Sequence, residues 1–265
     1  MVADSTAADA VSPLDEAAML ALRHGLEGLK LWRYDDVGFA LLRGKDLDLA
    51  VAPASRGRGV GTALARAAMG AAPAGVTAWS HADHPAAAAL AEELGLSATR
   101  RLWVMSRDAG PVDVPEVEGV TIRGYRETDA DEVLRVNAAA FAHHPEQGSM
   151  DAANLAERMA EPWFDPDGLL VADTDTPEHR LLAFHWTKQH DSALGEVYVV
   201  AVDPAAQGRG LGRAVTAAGL AHLASLGVRR IILYVESDND AAIATYSKLG
   251  FEHTSTHVQY TRTPR

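Results

Sequence analysis

The feature that most limits what this chain can fold into is an internal repeat. Leu49-Ala-Val-Ala-Pro-Ala-Ser-Arg-Gly-Arg-Gly-Val-Gly61 and Val200-Ala-Val-Asp-Pro-Ala-Ala-Gln-Gly-Arg-Gly-Leu-Gly212 share Ala, Val, Pro, Ala and a Gly-Arg-Gly-x-Gly core at a constant offset of 151 residues. Each reads as a short apolar strand, a glycine turn and an alanine-rich helix. With the offset grown to 155, Trp79-Ser-His-Ala-Asp-His-Pro-Ala-Ala lies over Tyr234-Val-Glu-Ser-Asp-Asn-Asp-Ala-Ala, and Leu94-Gly-Leu96 falls on Leu249-Gly-Phe251. Alanine-rich helices coincide by chance, but an ordered series of matches is much stronger. The chain therefore carries two copies of one pattern.

At 265 residues there is length for two domains of similar size. The stretch 108–119, rich in Pro and acidic residues and without helical or strand period, is the expected linker. This gives an N-terminal domain 1–107 and a C-terminal domain 120–265. In the second copy the periodicity predicts strands near 120–125, 169–172, 180–188, 196–202, 230–235 and 251–260, with helices near 130–141, 151–160, 210–225 and 240–249. The class is α/β with mixed strand order. The first copy is eroded at its start, where 13–29 supplies a helix and 37–42 a strand.

Composition removes several chemistries. There is no cysteine, which excludes disulfides, thiolate nucleophiles and cysteine-based metal sites. A formal charge of -12 argues against a nucleic-acid surface and favours a cationic partner such as an amine. No run of about 18 uncharged apolar residues is present to cross a bilayer. Residues 1–12, small and acidic, lack the pattern of a secretory signal and are expected to be a loose tail of a cytoplasmic protein. His81 with His84, and His143 with His144, have no partnered metal spacing, so no metal is expected.

In Gln207-Gly-Arg-Gly-Leu-Gly212 the glycines let backbone N–H groups turn toward one point, and the helix that follows adds its positive end. Such a cradle suits a pyrophosphate, although a tight strand-to-helix turn without a ligand has the same local sequence. A Walker loop is excluded because no Gly-Lys-Ser/Thr follows, and Arg213 stands where a dinucleotide fingerprint needs its third glycine. What remains is Gln207-x-x-Gly210-x-Gly212 and Arg56-x-x-Gly59-x-Gly61. This pattern resembles the acyl-CoA motif of the GCN5-related N-acetyltransferases, and Asn239-x-x-Ala242-x-x-x-Tyr246-x-x-x-Gly250-Phe251 is similar to that family's closing motif. Five further segments, Phe184-His-Trp-Thr-Lys188, Gly195-Glu-Val-Tyr-Val-Val200, Leu233-Tyr-Val-Glu-Ser-Asp-Asn239, Arg135-Val-Asn-Ala-Ala-Ala-Phe141 and His144-Pro-Glu-Gln-Gly148, resemble a tandem branch of the family. That branch acetylates the cysteinyl amine of cysteinyl-glucosaminyl-inositol with acetyl-CoA.

The resemblance implies the following roles. Acetyl-CoA would lie along Val200, Ala201 and Val202, with its pyrophosphate on Gln207, Gly208, Arg209, Gly210, Leu211, Gly212 and Arg213. Asn239, Asp240, Ala241, Ala242, Ile243 and Ala244 would flank the thioester arm. In the first copy the corresponding positions are Leu49, Ala50 and Val51, then Gly57, Arg58, Gly59, Val60, Gly61 and Thr62. The acceptor contacts would be Glu16, Glu146, Lys188, Glu196 and Tyr234, whose carboxylates suit a hydroxyl-rich cation.

Acetyl transfer needs a base for the amine and an acid for the departing thiolate. Glu196 is the candidate base; by simple alternation it shares a face with Tyr198, Val200 and Val202. Taken alone, it reads as a strand-end carboxylate in solvent, and the resemblance is what favours the base. Tyr246 is the candidate acid; taken alone, it is an aromatic at core spacing. The repeat places Lys45 opposite Glu196 and Ala91 opposite Tyr246. The first copy is therefore expected to bind acetyl-CoA without catalysing. A monomer acting on a small molecule is expected. A tandem acetyltransferase of another amine, such as an amino sugar or antibiotic, and a non-catalytic acyl-CoA sensor are the competing readings.

Overall fold

The computed structural model describes residues 2–9, 11–24, 28–142, 147–174, 176 and 180–262, with the side chains of Glu16, Leu20, Arg23 and His24 outside that description. The chain forms two compact units, Met1–Trp103 with Ser255–Arg265, and Val104–Thr254.

The first unit begins with helices α1 (Val2–Asp9) and α2 (Glu16–His24). Strands β1 (Lys30–Tyr34), β2 (Gly38–Arg43) and β3 (Asp46–Val51) form an antiparallel meander. Helix α3 (Val60–Met69) leads to β4 (Thr77–Ser80), which pairs parallel to β3, and α4 (Pro85–Glu93) precedes the long strand β5 (Ser97–Asp108). Val60, Leu64 and Ala68 recur at helical spacing along one face of α3 and bury against Ala40, Leu42 and Val76. The opposite face of β2, Phe39 and Leu41, is covered by Leu14 and Ala18. Residues 2–9 are thus helical where a loose tail was expected, and Asp9 holds Arg56 through two 2.7 Å hydrogen bonds. Strand β1 had no counterpart in the sequence reading.

The second unit continues with β6 (Val120–Gly124), α5 (Ala130–Ala140), α6 (Ala152–Met159), β7 (Leu169–Thr174), β8 (Leu181–Gln189), β9 (Leu194–Val202), α7 (Leu211–Ser225), β10 (Arg230–Glu236), α8 (Asp240–Lys248) and β11 (Glu252–Thr261). Strands β6 to β9 run antiparallel in sequence order, and β10 returns parallel to β9. From Leu181 to Lys188, β8 is buried at every position, as a central strand covered on both faces must be. One cover contains Val133 and Val136 of α5 with Leu155 of α6; the other contains Leu211 and Val215 of α7. Burying each such Val or Leu contributes roughly 1.5–3 kcal/mol.

The unit boundary differs from the expected one in two places. It falls inside β5, before the acidic stretch 108–119, and inside β11. The outer part of β11 pairs antiparallel with β4, from Val258↔Ser80 to Thr261↔Thr77, which draws 255–265 into the first unit. Hydrogen bonding to a strand nearly 180 residues earlier is invisible to local pattern.

Candidate active site

The two glycine loops have the same backbone path. A 3₁₀ turn, Pro53–Ser55 or Pro204–Ala206, is followed by Arg56 (φ -67°, ψ 159°) or Gln207 (φ -62°, ψ 160°). Gly59 (φ 81°, ψ -1°) and Gly210 (φ 82°, ψ 3°) then N-cap α3 and α7, and neither helix has a side-chain cap. The first four N–H groups of a helix have no partner within it, so each loop presents donors and a positive dipole end without a competing side chain. The last glycine of each motif rests on the strand beneath it: a Cβ on Gly212 would sit 3.5 Å from Val202, and one on Gly61 3.7 Å from Val51, both ordinary van der Waals contact. Both cradles therefore fit the pyrophosphate of acetyl-CoA.

The loops differ in their anchors. Asp203 accepts from Ala205 N–H at 2.9 Å and from Arg135 at 2.6 Å, tying the second loop to α5. The equivalent Ala52 makes no side-chain cap, and Arg56 is held instead by Asp9 and by Val51 O. Arg209 donates to Glu118 O at 3.1 Å, which turns its guanidinium toward 108–119, while Arg213 is exposed.

The centre of the site is β9. Trp186 pairs with Val199 but Thr187 with Val197, so Tyr198 is an extra residue and β9 carries a bulge. Past the bulge the faces exchange. Val199 and Ala201 pack with α5, whereas Val200 and Val202 pack on Leu211 and Val215 of α7. Glu196 therefore shares a face with Tyr198 but not with Val200 or Val202, which corrects the alternation expected from sequence. Pairing of β9 with β10 runs from Leu194↔Arg230 to Val197↔Leu233 and ends there, leaving Val200, Ala201 and Val202 outside that ladder.

Glu196 is buried, and its Oε2 lies 2.6 Å from His190 Nε2. Lys188 stands directly opposite Glu196 in the β8–β9 ladder, also buried. Its ammonium sits 4.6 Å from the Trp163 ring centroid and 5.2 Å from that of Tyr198, within cation–π range. Arg158 of α6 closes the far side, donating to Tyr198 Oη at 3.1 Å. Tyr234 on β10 is partly exposed; desolvation and the nearby Glu196 charge push its phenol up to about 12. The result is a cluster of one buried cation and one buried carboxylate beside aromatic rings, with Tyr234 exposed next to it.

Tyr246 lies on α8, its ring edge-on to Phe251 with centroids 5.9 Å apart. Burial pushes its phenol up to about 12, so it stays protonated at neutral pH and able to donate. Asn239 N-caps α8, accepting from Ala242 N–H at 3.1 Å, so the start of the closing motif has a structural duty. Asp240, Ala241, Ala242, Ile243 and Ala244 form the first turns of the same helix.

In the first unit Lys45 is in the β2–β3 turn and Ala91 is buried in α4, so neither proton-handling group has a counterpart. Glu146 lies outside the described residues, and the side chain of Glu16 does too. Among the described residues no group of three or more His, Asp or Glu is placed to hold a metal. His190, Arg158, Trp163 and Asp203 were missed from sequence. Only Asp203, immediately before a Pro at the loop entrance, carried a local cap signal; the others depend on register and on packing between distant segments.

A family model described as the acetyltransferase (GNAT) family matches residues 14–96 and again 136–251. Similar curated proteins include the mycothiol acetyltransferase of Nocardioides sp., 56% identical over 97% of this chain and 93% of its own length. That of Nocardia farcinica is 47% identical over 98% and 91%. Among solved structures, a GCN5-related N-acetyltransferase from Sphaerobacter thermophilus shares the fold with a TM-score of 0.74 at 24% identity, covering 99% of this chain and 91% of that one. A tandem GNAT protein from the clavulanic acid biosynthesis pathway does so at 0.71 and 21%, covering 92% and 87%.

Proposed function

The chain belongs to the GNAT family of acetyltransferases, and from that premise we propose that it performs the mycothiol acetyltransferase reaction, acetylating the cysteinyl amine of cysteinyl-glucosaminyl-inositol in its second unit. The named activity of relatives that are 45–56% identical over nearly the whole chain supports the substrate. The observation that carries the site is the buried Glu196 facing Lys188 and Tyr234, with no equivalent in the first unit.

Acetyl-CoA, when bound, supplies the acetyl thioester. The N–H groups that begin α7 hold its pyrophosphate, and the unpaired edge at Val200 to Val202 runs beside its arm. Glu196 takes a proton from the acceptor ammonium, whose reference pKa of about 8 makes this a modest task, and frees the nitrogen lone pair. Tyr246 gives its phenol proton to the departing sulfur. Carboxylates in the pocket accept from sugar and inositol hydroxyls. The first unit keeps a complete cradle and holds acetyl-CoA without turnover. The protein works as a cytoplasmic monomer on a small molecule.

Release of CoA by the purified protein tests this reading. Wild type acetylates cysteinyl-glucosaminyl-inositol; Glu196→Gln lowers kcat by roughly 10²–10⁴ and Tyr246→Phe by a smaller factor, both with the fold intact. Acetylation of a different amine with none of this acceptor would refute the substrate.

A further inference from the structure

The β8–β9 hairpin places a second titratable side chain on the base. His190 follows the last residue of β8, and its N–H bonds Leu194 O at 2.9 Å, closing the turn. Asp191 Oδ1 accepts from both Ala193 N–H, at 2.7 Å, and Leu194 N–H, at 2.9 Å, which fixes the turn between them. His190 is thereby delivered to the face that carries Lys188 and Glu196, since residues two apart on a strand point the same way. Its Nε2 reaches Glu196 Oε2 at 2.6 Å, with 33% of the imidazole exposed against 9% of the carboxylate.

Two acceptors cannot meet at that distance, so with Glu196 ionised the proton is on His190 Nε2 and the imidazole donates. One carboxylate oxygen is then committed, and the other is left to face the amine.

We infer that His190 is a positioning residue for acetyl transfer: it fixes the orientation of the Glu196 carboxylate, so that one oxygen is held and the other is presented to the acceptor amine. This rests on the reading of Glu196 as the base. Among the described residues, the charged and titratable groups around the pair include Lys188 on β8, Asp191 in the turn, Arg229 before β10 and Tyr234 on β10.

The test is steady-state kinetics of the full-length protein with acetyl-CoA and cysteinyl-glucosaminyl-inositol, for His190→Ala, His190→Gln and Glu196→Gln. His190→Ala lowers kcat on the order of tenfold, the worth of one hydrogen bond to a charged group, with KM for acetyl-CoA unchanged. His190→Gln, which retains an N–H donor, restores most of the rate. If Glu196→Gln is inactive while His190→Ala keeps wild-type kcat, the inference is wrong and the base assignment stands. If Glu196→Gln retains full rate, the base assignment itself falls. A His190→Ala loss that Gln does not rescue, or one that raises KM for acetyl-CoA as much as it lowers kcat, would show a merely structural turn residue and would also overturn the inference.

Discussion

Gly59 and Gly210 allow the two loops to be separated in function without being separated in structure. Their dihedrals agree within a few degrees, and a Cβ added at either would meet nothing within 4 Å. Alanine at either site therefore adds no clash, and its cost is the left-handed backbone alone, about 1–2 kcal/mol. For units of this size that corresponds to a fall in melting temperature of roughly 3–12 °C, comparable in the two variants. Activity is expected to diverge. In Gly210→Ala the strained cap relaxes, the N–H groups that begin α7 lose their common aim, and a loss of about 1.4 kcal/mol of phosphate binding raises KM for acetyl-CoA roughly tenfold. Gly59→Ala leaves kcat and KM at wild-type values. Thermal melts with parallel CoA-release assays decide the matter. Equal kinetic losses from both would refute the division of labour, and a destabilised Gly210→Ala with normal KM would refute the phosphate cradle.

Two further outcomes concern stability. Gly219 in α7 lies against His185, where a Cβ would fall 2.1 Å from the ring Nδ1, whose contact to Val215 O is 3.1 Å. Gly219→Ala should lower the melting temperature even though alanine favours helix by about 1 kcal/mol, because overpacking a rigid core costs about 1–3 kcal/mol and displaces a buried polar contact; a rise in melting temperature would contradict this. Burial pushes both His185 and His257 down to about 4. A histidine depressed in the folded state contributes stability that is whole above its unfolded value near 6.5 and is lost as pH falls toward 4. Asp48 opposes this, since burial pushes it up to about 6 and its protonated form is favoured on folding. With two histidines against one carboxylate, melting temperature should decline between pH 6.5 and 4, and a flat profile there would show that the histidines are not desolvated.

What the sequence by itself determined is what short-range chemistry determines. Glycines at φ near +80° have no cheap substitute, so both loops, the helices they cap and the duplication were legible from residue order. Most strands and helices of the second unit followed from periodicity, and the family followed from motifs within single turns. Tertiary structure decided the rest. The register shift at Tyr198 in β9 turned Val200 and Val202 away from Glu196, and only the pairing with β8 reveals it. Assignment of 255–265 to the first unit rests on hydrogen bonds to β4. Helix α1 is a helix beside Arg56 although its composition reads as a tail. His190 meets Glu196 because a hairpin closes between them. In each case the deciding contact joins residues whose separation along the chain says nothing about their distance in space. Backbone propensity acts within a few residues; strand register and burial are set by the whole fold.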